Sequence, residues 1–169
     1  ERIYQQNMES WLQELNTKDQ GIENGKLVWA DKGFDDADWF DFPVPGMAQT
    51  NGMTPKNGIF WFRKEVDIPA SWSGQEITIN MGPIDDDDFT YFNGELIGQT
   101  EGWMSPRNYK IPGKLVKPGK SVIAIRVMDT GGEGGLGGDA ASYWLSSSKG
   151  KIDISGNWKA KLSLDLNAI

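Results

Sequence analysis

Four consecutive aspartates, Asp85 to Asp88, are the residues of this 169-residue chain whose types and spacing first suggest chemistry. They stand between two apolar, strand-like runs. Such carboxylates could act as an acid and a base, bind a metal ion, contact a sugar or accept hydrogen bonds at a bend. Catalysis fits worst, because paired glycosidase carboxylates face each other roughly 5–10 Å apart, whereas neighbouring residues of a strand point to opposite faces.

Calcium binding matches the aspartate run better, because Ca²⁺ prefers hard oxygen ligands, although the spacing lacks the regularity of an EF-hand loop. The four candidate ligands of a structural calcium ion are Asp85, Asp86, Asp87 and Asp88. A plainer interpretation is that some of these carboxylates accept backbone hydrogen bonds at the bend, or pair with Arg107 or Arg126. The sequence leaves both interpretations open, and it indicates no other cofactor.

A second group of candidate residues lies in the segment GWMSPRNY, where Trp103, Arg107 and Tyr109 flank a proline. Aromatic rings stack on the C–H faces of sugars, and the planar fork of arginine matches a carboxylate such as that of sialic acid. However, the chain has eight tryptophans, far more than one sugar site needs, and large aromatics in a small β domain mostly pack in the core. A core or interface role is the stronger expectation for Trp103. It is stronger still for Trp29, Trp39, Trp61 and Trp158.

A glycine-rich segment, DTGGEGGLGGD, runs from Asp129 to Asp139. It has neither the spacing of a phosphate-binding loop nor the strand-to-helix context that such a loop requires. Because glycine lets two backbones approach closely, we expect Asp129 and the following loop to lie against a partner domain.

The missing residue types exclude several classes of enzyme. The chain contains neither histidine nor cysteine, so Ser-His-Asp and Cys-His catalysis, HExxH zinc sites and disulfides cannot be built from these residues. A formal net charge of −7 argues against a nucleic-acid partner. No apolar run is long enough to predict a membrane span. We therefore expect no catalytic residue in this chain.

Hydrophobic periodicity predicts one helix followed by many strands. Tyr4, Met8, Trp11 and Leu15 recur at helical spacing, and their partner surface could lie on an absent domain. From Gly21 onward, short β-type runs such as KLVWA (residues 26–30) alternate with turn residues, as is typical of a sandwich or barrel. We predict an all-β jelly-roll β-sandwich over residues 21–169, preceded by an N-terminal helix over residues 1–20.

Some strand faces can be predicted individually. Phe60, Phe62, Val66 and Ile68 alternate along one run, and Ile77, Ile79 and Met81 alternate along another, so these two sets should face the core. The run SVIAIRVM is apolar on both faces apart from its arginine, which predicts a central strand covered on both sides. The Asn93-Gly94 pair predicts a tight hairpin.

Five motifs occur in an order that resembles a known module. They are WFRKEVDIP (61–69), MGPIDDDDFTYFNG (81–94), IG (97–98), GWMSPRNYKIP (102–112) and LVKPGKSVIAIRVMDTGGEGG (115–135). Together they resemble the galactose-binding-like β-sandwich of bacterial sialate O-acetylesterases and, more distantly, the sugar-binding-type jelly roll of glycoside hydrolase family 2. The resemblance covers roughly three quarters of the chain, as a pattern match that needs structural support.

The resemblance implies an accessory role for the chain. The Gly-Asp-Ser and Asp-x-x-His blocks that carry catalysis in these esterases are missing, so the partner would be a catalytic esterase domain of the same polypeptide, reached through residues 1–20. Sialylated or other glycans are further expected partners, and a periplasmic or secreted location is implied by the family. Asp85, Asp86 and Asp88 would then face the active-site mouth of the esterase.

Three alternatives stay open. The chain could be an autonomous carbohydrate-binding module in which Trp103, Arg107, Tyr109 and the aspartate edge contact glycan directly. It could instead be the sugar-binding-type domain of a glycoside hydrolase. It could also be an enzyme with a carboxylate pair, if two acids distant in sequence converged in one cleft.

Overall fold

The computed structural model describes residues 2–53, 57–131 and 133–166, with side chains described from Ser10 onward. The expected helical stripe residues Tyr4 and Met8 thus have side chains outside the described part. Within these residues the backbone forms one α-helix and a set of antiparallel strands. No helix in the described part is long and apolar enough to cross a membrane.

The helix α1 spans Arg2–Lys18, and the strands are β1 (Ile22–Glu23), β2 (Lys26–Leu27), β3 (Phe40–Val44), β4 (Gly46–Met47), β5 (Gly58–Ile68), β6 (Ile77–Asp85), β7 (Asp87–Phe92), β8 (Glu95–Thr100), β9 (Pro106–Ile111), β10 (Gly119–Asp129), β11 (Gly135–Leu136), β12 (Trp144–Ser147), β13 (Gly150–Asp153) and β14 (Gly156–Asp165).

Two sheets form a β-sandwich. The first, which we call the front sheet, has the order β3-β14-β5-β10-β7-β8. The second, the back sheet, has the order β13-β12-β6-β11-β4, and β9 also pairs with β6. The predicted all-β sandwich with one N-terminal helix is confirmed.

The main core lies between the two sheets and follows the predicted alternation. Phe60, Phe62, Val66 and Ile68 of β5 and Ile77, Ile79 and Met81 of β6 are all buried in one apolar cluster. The predicted hairpin is confirmed too, since β7 and β8 pair across Asn93 and Gly94. Both turn residues have positive φ, which suits an Asn-Gly turn.

A second apolar cluster covers the outer face of the front sheet. Leu15 of α1 is fully buried there, together with Trp29, Trp61 and Ala124. Strand β10 is therefore covered on both faces, as its apolar pattern predicted. The end of α1 packs on its own sandwich, so Leu15 needs no absent domain to cover it, whereas Trp11 remains 37% exposed.

The run KLVWA becomes a strand only at Lys26 and Leu27 and then turns away. The reason is the buried Arg63 of β5, whose Nη1 donates to the carbonyl oxygens of Trp29 (2.6 Å) and Asp31 (3.0 Å). Its Nε donates to Asp36 Oδ2 at 2.8 Å. One buried guanidinium thus satisfies a loop backbone that would otherwise pair in a sheet.

Candidate functional site

Asp88 and Arg107 form a fully buried ion pair at one end of the sandwich. Arg107 Nε lies 2.6 Å from Asp88 Oδ1, and both side chains are inaccessible to solvent. Asp88 also accepts hydrogen bonds from Thr90 Oγ1 and from the hydroxyl of Tyr109. Burial raises the pKa of Asp88, and the hydrogen bonds from Arg107, Thr90 and Tyr109 act in the opposite direction. The predicted pairing of the aspartate run with Arg107 is confirmed.

The same guanidinium fastens two loops together. Arg107 Nη2 donates to the carbonyl oxygens of Ile84 (3.0 Å), Asp86 (2.8 Å) and Gly102 (2.8 Å). The aspartate bend and the loop before β9 are therefore held in register by one buried cation. Because Arg107 is only 1% exposed, its fork faces the protein and not a sugar carboxylate.

The four aspartates separate into different environments. Asp87 Oδ1 accepts the backbone N–H of Gly102 at 2.8 Å, and Asp86 Oδ2 accepts that of Thr130 at 3.0 Å. These carboxylates accept backbone N–H groups as predicted, but the donors come from two other loops and not from the bend itself. Arg126, the other proposed partner, instead pairs with Asp19 at 2.6 Å, so that part of the prediction was wrong.

Asp85 and Asp86 meet Asp129, the last residue of β10, in a cluster of three carboxylates. One oxygen from each lies within 4.8 Å of the others. Burial is the main cause that raises the pKa of Asp85 to about 7, followed by a hydrogen bond with Asp86 and the nearby negative charges. Burial likewise raises the pKa of Asp129 to about 6, against hydrogen bonds from Gly131 and Gln49.

This cluster changes the set of candidate calcium ligands. Asp87 and Asp88 are engaged elsewhere, and Asp129 joins Asp85 and Asp86 from a strand that is distant in sequence. Three carboxylates provide oxygen donors of the kind that calcium takes. The structural calcium ion stays a prediction.

Trp103, Arg107 and Tyr109 do not form one surface. Trp103 is 59% exposed and its neighbour Met104 is 72% exposed, whereas Arg107 is buried. Tyr109 packs its ring against Gly98 and points its hydroxyl at Asp88. Burial raises the pKa of this hydroxyl. Arg107 and Tyr109 thus have structural roles inside the sandwich, whereas Trp103 lies on the surface, where it can contact a partner.

Solved structures that resemble this chain include carbohydrate-active enzymes. A β-glucuronidase 2 of Bacteroides uniformis aligns with a TM-score of 0.56 and 20% identity, over 78% of this chain and 15% of that enzyme. A glycosyl hydrolase family 2 member from Bacteroides cellulosilyticus aligns with a TM-score of 0.57 and 20% identity, over 68% of this chain and 18% of that enzyme.

The chain has the fold of a glycoside hydrolase β-sandwich domain. At this identity the likeness establishes the fold alone, and the chain spans less than a fifth of the length of either enzyme. Neither a family model nor a curated protein sequence matches it. The more distant resemblance, to glycoside hydrolase family 2, is therefore the one that the solved structures support, and the esterase resemblance receives no support from them.

A buried group that the sequence did not indicate lies on the outer face of the front sheet. Asp19 accepts hydrogen bonds from Trp61 Nε1, Arg126 Nε and the backbone N–H of Gly21. Asp19 directly follows the helix in a polar segment, and nothing in that segment predicts that its side chain is buried. The one available signal was Arg126, a lone cation in an otherwise apolar strand that required a buried partner.

Proposed function

We propose that this chain is a non-catalytic β-sandwich domain of a carbohydrate-active hydrolase, of the sugar-binding type that accompanies the catalytic domain in glycoside hydrolase family 2. The observation that carries the proposal is the likeness of fold to two enzymes of that kind, each more than five times as long as the matched part. In such an arrangement bond cleavage belongs to another domain of the same polypeptide.

The chemistry of the described residues supports a non-catalytic role. The three clustered carboxylates lie side by side within 4.8 Å, whereas a glycosidase needs two acids that face each other across a substrate, about 5–10 Å apart. The chain has neither histidine nor cysteine. Imidazole and thiol groups are therefore not available for acid–base work in this chain.

The end of the sandwich around the aspartate bend is the surface that we assign to the catalytic domain. It presents the apolar side chains of Trp103 and Met104, 59% and 72% exposed, beside the acidic Asp86 and Asp87. Aromatic and methionine side chains are enriched in protein interfaces. The buried Arg107 makes this end rigid by tying its two loops together, which favours a fixed docking geometry.

A sialate O-acetylesterase is the second candidate for the parent enzyme, favoured by the ordered motifs between Trp61 and Gly135. A periplasmic or secreted location belongs to that candidate, because the family implies it. The two candidates differ in their catalytic domain and not in the role of this chain. The reading frame around the chain separates them: a Gly-Asp-Ser block favours the esterase, and a catalytic domain with a pair of carboxylic acids favours the glycoside hydrolase.

Activity assays of the isolated chain test the non-catalytic role. The substrates are an aryl β-glucuronide, an aryl β-galactoside and an O-acetylated sialoside, which cover both candidate chemistries. We expect no turnover of any of them. Hydrolysis at an enzyme-like rate, lost on substitution of Asp85 or Asp129, would show that the chain carries its own active site.

Association with the catalytic domain of the parent polypeptide tests the docking surface. Trp103→Ser should weaken binding of the two separately expressed parts by about tenfold or more, since exposed aromatic anchors dominate interface energies. The matched control is Phe40→Ser, which removes an aromatic side chain that is 64% exposed on β3. Equal weakening by both variants would place the interface elsewhere.

A further inference from the structure

The outer face of the back sheet differs from that of the front sheet. The front sheet carries α1 and the Trp29 region on its outside. On the back sheet, outward side chains from β13, β12, β6 and β9 remain intermediate or exposed. Each of these strands keeps the alternation of a sheet whose other face is buried. Within the described residues this face is therefore open to solvent.

The strand register places these outward side chains in two parallel rows. Asp153 pairs with Trp144, Trp144 with Asn80, and Asn80 with Asn108. The neighbouring row consists of Lys151, Ser146, Thr78 and Lys110. Four strands at about 4.8 Å spacing give each row a length of roughly 14 Å.

Trp144 is the aromatic member of these rows and stands at the wall of a cavity. It lines a cavity of about 410 Å³ with Lys151, Asp153, Ser155 and the short turn at Ala140. That volume lies within the range of roughly 300–1,000 Å³ that small-molecule sites occupy. The indole is only partly buried, so it offers an apolar surface to the cavity, to which Lys151, Asp153 and Ser155 add polar groups.

The polar groups around Trp144 include a hydrogen-bond donor, Lys151, and an acceptor, Asp153, both of which can bind hydroxyl groups. Lys151 Nζ lies 4.3 Å from the centroid of the ring, and Asp153 is its direct cross-strand neighbour. A cation and a carboxylate next to each other match a ligand that donates and accepts at adjacent atoms, as neighbouring sugar hydroxyls do. The exposed Lys151 contact with the ring is weak, so a C–H face of a sugar can replace it.

Beyond Trp144, the same row continues away from the cavity with two side-chain amides, Asn80 and Asn108, which can also bind hydroxyl groups. Asn108 Nδ2 donates to Asn80 Oδ1 at 3.0 Å, and Asn80 Nδ2 donates to the carbonyl oxygen of Ser142 at 2.7 Å. Lys110 Nζ donates to Thr78 Oγ1 at 3.2 Å. These bonds fix the side chains in place on rigid strands, which lowers the ordering cost of binding a ligand.

From the aromatic wall, the neighbouring charges of Lys151 and Asp153 and the two polar rows, we infer that the outer face of the back sheet binds a neutral glycan, with one pyranose ring stacked on Trp144 and the chain running across the strands toward Asn108. This surface is distinct from the end that carries Trp103. It adds a ligand surface to the proposed domain role and does not depend on which enzyme the chain belongs to.

Nuclear magnetic resonance titration of the whole chain tests this inference. The probes are methyl β-galactopyranoside, methyl β-glucopyranoside, cellotriose and xylotriose at millimolar concentrations. We expect shifts of the Trp144 indole and of backbone amides near residues 78–80, 108–110 and 140–155. A trisaccharide should bind more tightly than a monosaccharide, because only a chain reaches Asn108. The absence of shifts with all four probes overturns the inference.

Variants locate the binding surface. Trp144→Ala should weaken the affinity by about tenfold or more, since loss of aromatic stacking removes the main apolar contact, and Trp144→Phe should recover part of it. Trp103→Ala is the matched control and should leave the affinity unchanged. Should Trp144→Ala fail to fold, Asn108→Ala, an exposed change, should weaken trisaccharide binding alone. Binding that is lost in Trp103→Ala and kept in the other variants contradicts the inference.

Discussion

Arg107 Nε lies 2.6 Å from Asp88 Oδ1 in an ion pair that solvent does not reach. The pair connects β7 with β9, one strand in each sheet, and the same guanidinium holds the aspartate bend and the loop at Gly102. Asp88 is therefore a structural counter-ion in this chain, and the aspartate bend is the segment that places it beside Arg107.

Removal of Asp88 should be strongly destabilising. Asp88→Ala leaves an unpaired guanidinium in the interior, and breaking a buried pair from one side costs about 3–5 kcal/mol. Urea unfolding followed by circular dichroism measures the change. The matched control is Glu65→Gln, which breaks the exposed pair with Lys120 and should cost about 1 kcal/mol or less. Similar losses in both variants would contradict the structural role of the pair.

Gly98 should tolerate no side chain, because the ring of Tyr109 lies directly over it. A Cβ at Gly98 would overlap the Tyr109 ring, so Gly98→Ala should push the hydroxyl away from Asp88 and lower the free energy of unfolding by about 1–3 kcal/mol. Gly33→Ala is the control, since a Cβ there would meet only ordinary contact with Asp31. A variant at Gly98 with unchanged unfolding midpoint would mean that the ring packs elsewhere.

Leu15 should anchor the helix to the sandwich. It is fully buried against the outer face of the front sheet, whereas Leu12 on the same helix is 40% exposed. Leu15→Ala should therefore cost about 2–5 kcal/mol, and Leu12→Ala should stay within about 0.5 kcal/mol. Thermal unfolding of both variants measures this difference. Equal, small effects would indicate that the helix packs on another domain.

The carboxylate cluster should make stability depend on pH. Because the pKa of Asp85 is raised from 3.8 to about 7, the folded chain keeps a proton that the unfolded chain releases. The contribution of protonated Asp85 to the free energy of unfolding is fully present below about pH 4 and is lost as the pH rises to about 7. Asp85→Asn should flatten this decline and raise the free energy of unfolding near pH 8 by about 1–2 kcal/mol, since partial exposure screens the repulsion.

The measurement for Asp85→Asn is urea unfolding at several pH values in a buffer that contains a chelator, so that no divalent cation masks the repulsion. The exposed Asp67→Asn serves as a control for the loss of one negative charge. A wild-type chain whose stability rises between about pH 5 and 8, relative to Asp85→Asn, would contradict the sign of the shift.

Local patterns in the sequence were sufficient for most of the fold. The alternation in β5 and β6, the apolar run of β10 and the Asn93-Gly94 pair each depend on neighbouring residues, because strand periodicity and turn chemistry act over a few positions. The helix was predicted by the same kind of pattern. Where prediction failed, at KLVWA, the cause was distant: Arg63 binds the loop carbonyls and prevents the strand from continuing.

The sequence by itself determined a β-sandwich with one helix and excluded imidazole and thiol chemistry, because composition and short-range alternation are properties of the chain alone. Only the tertiary structure decided which partner each of the four aspartates has and how its carboxylate titrates. A carboxylate takes its character from the charges and donors around it, and those come from residues far away in sequence: Arg107 for Asp88, and Asp129 for Asp85 and Asp86. The polar rows around Trp144 depend in the same way on strand register, which the fold alone sets.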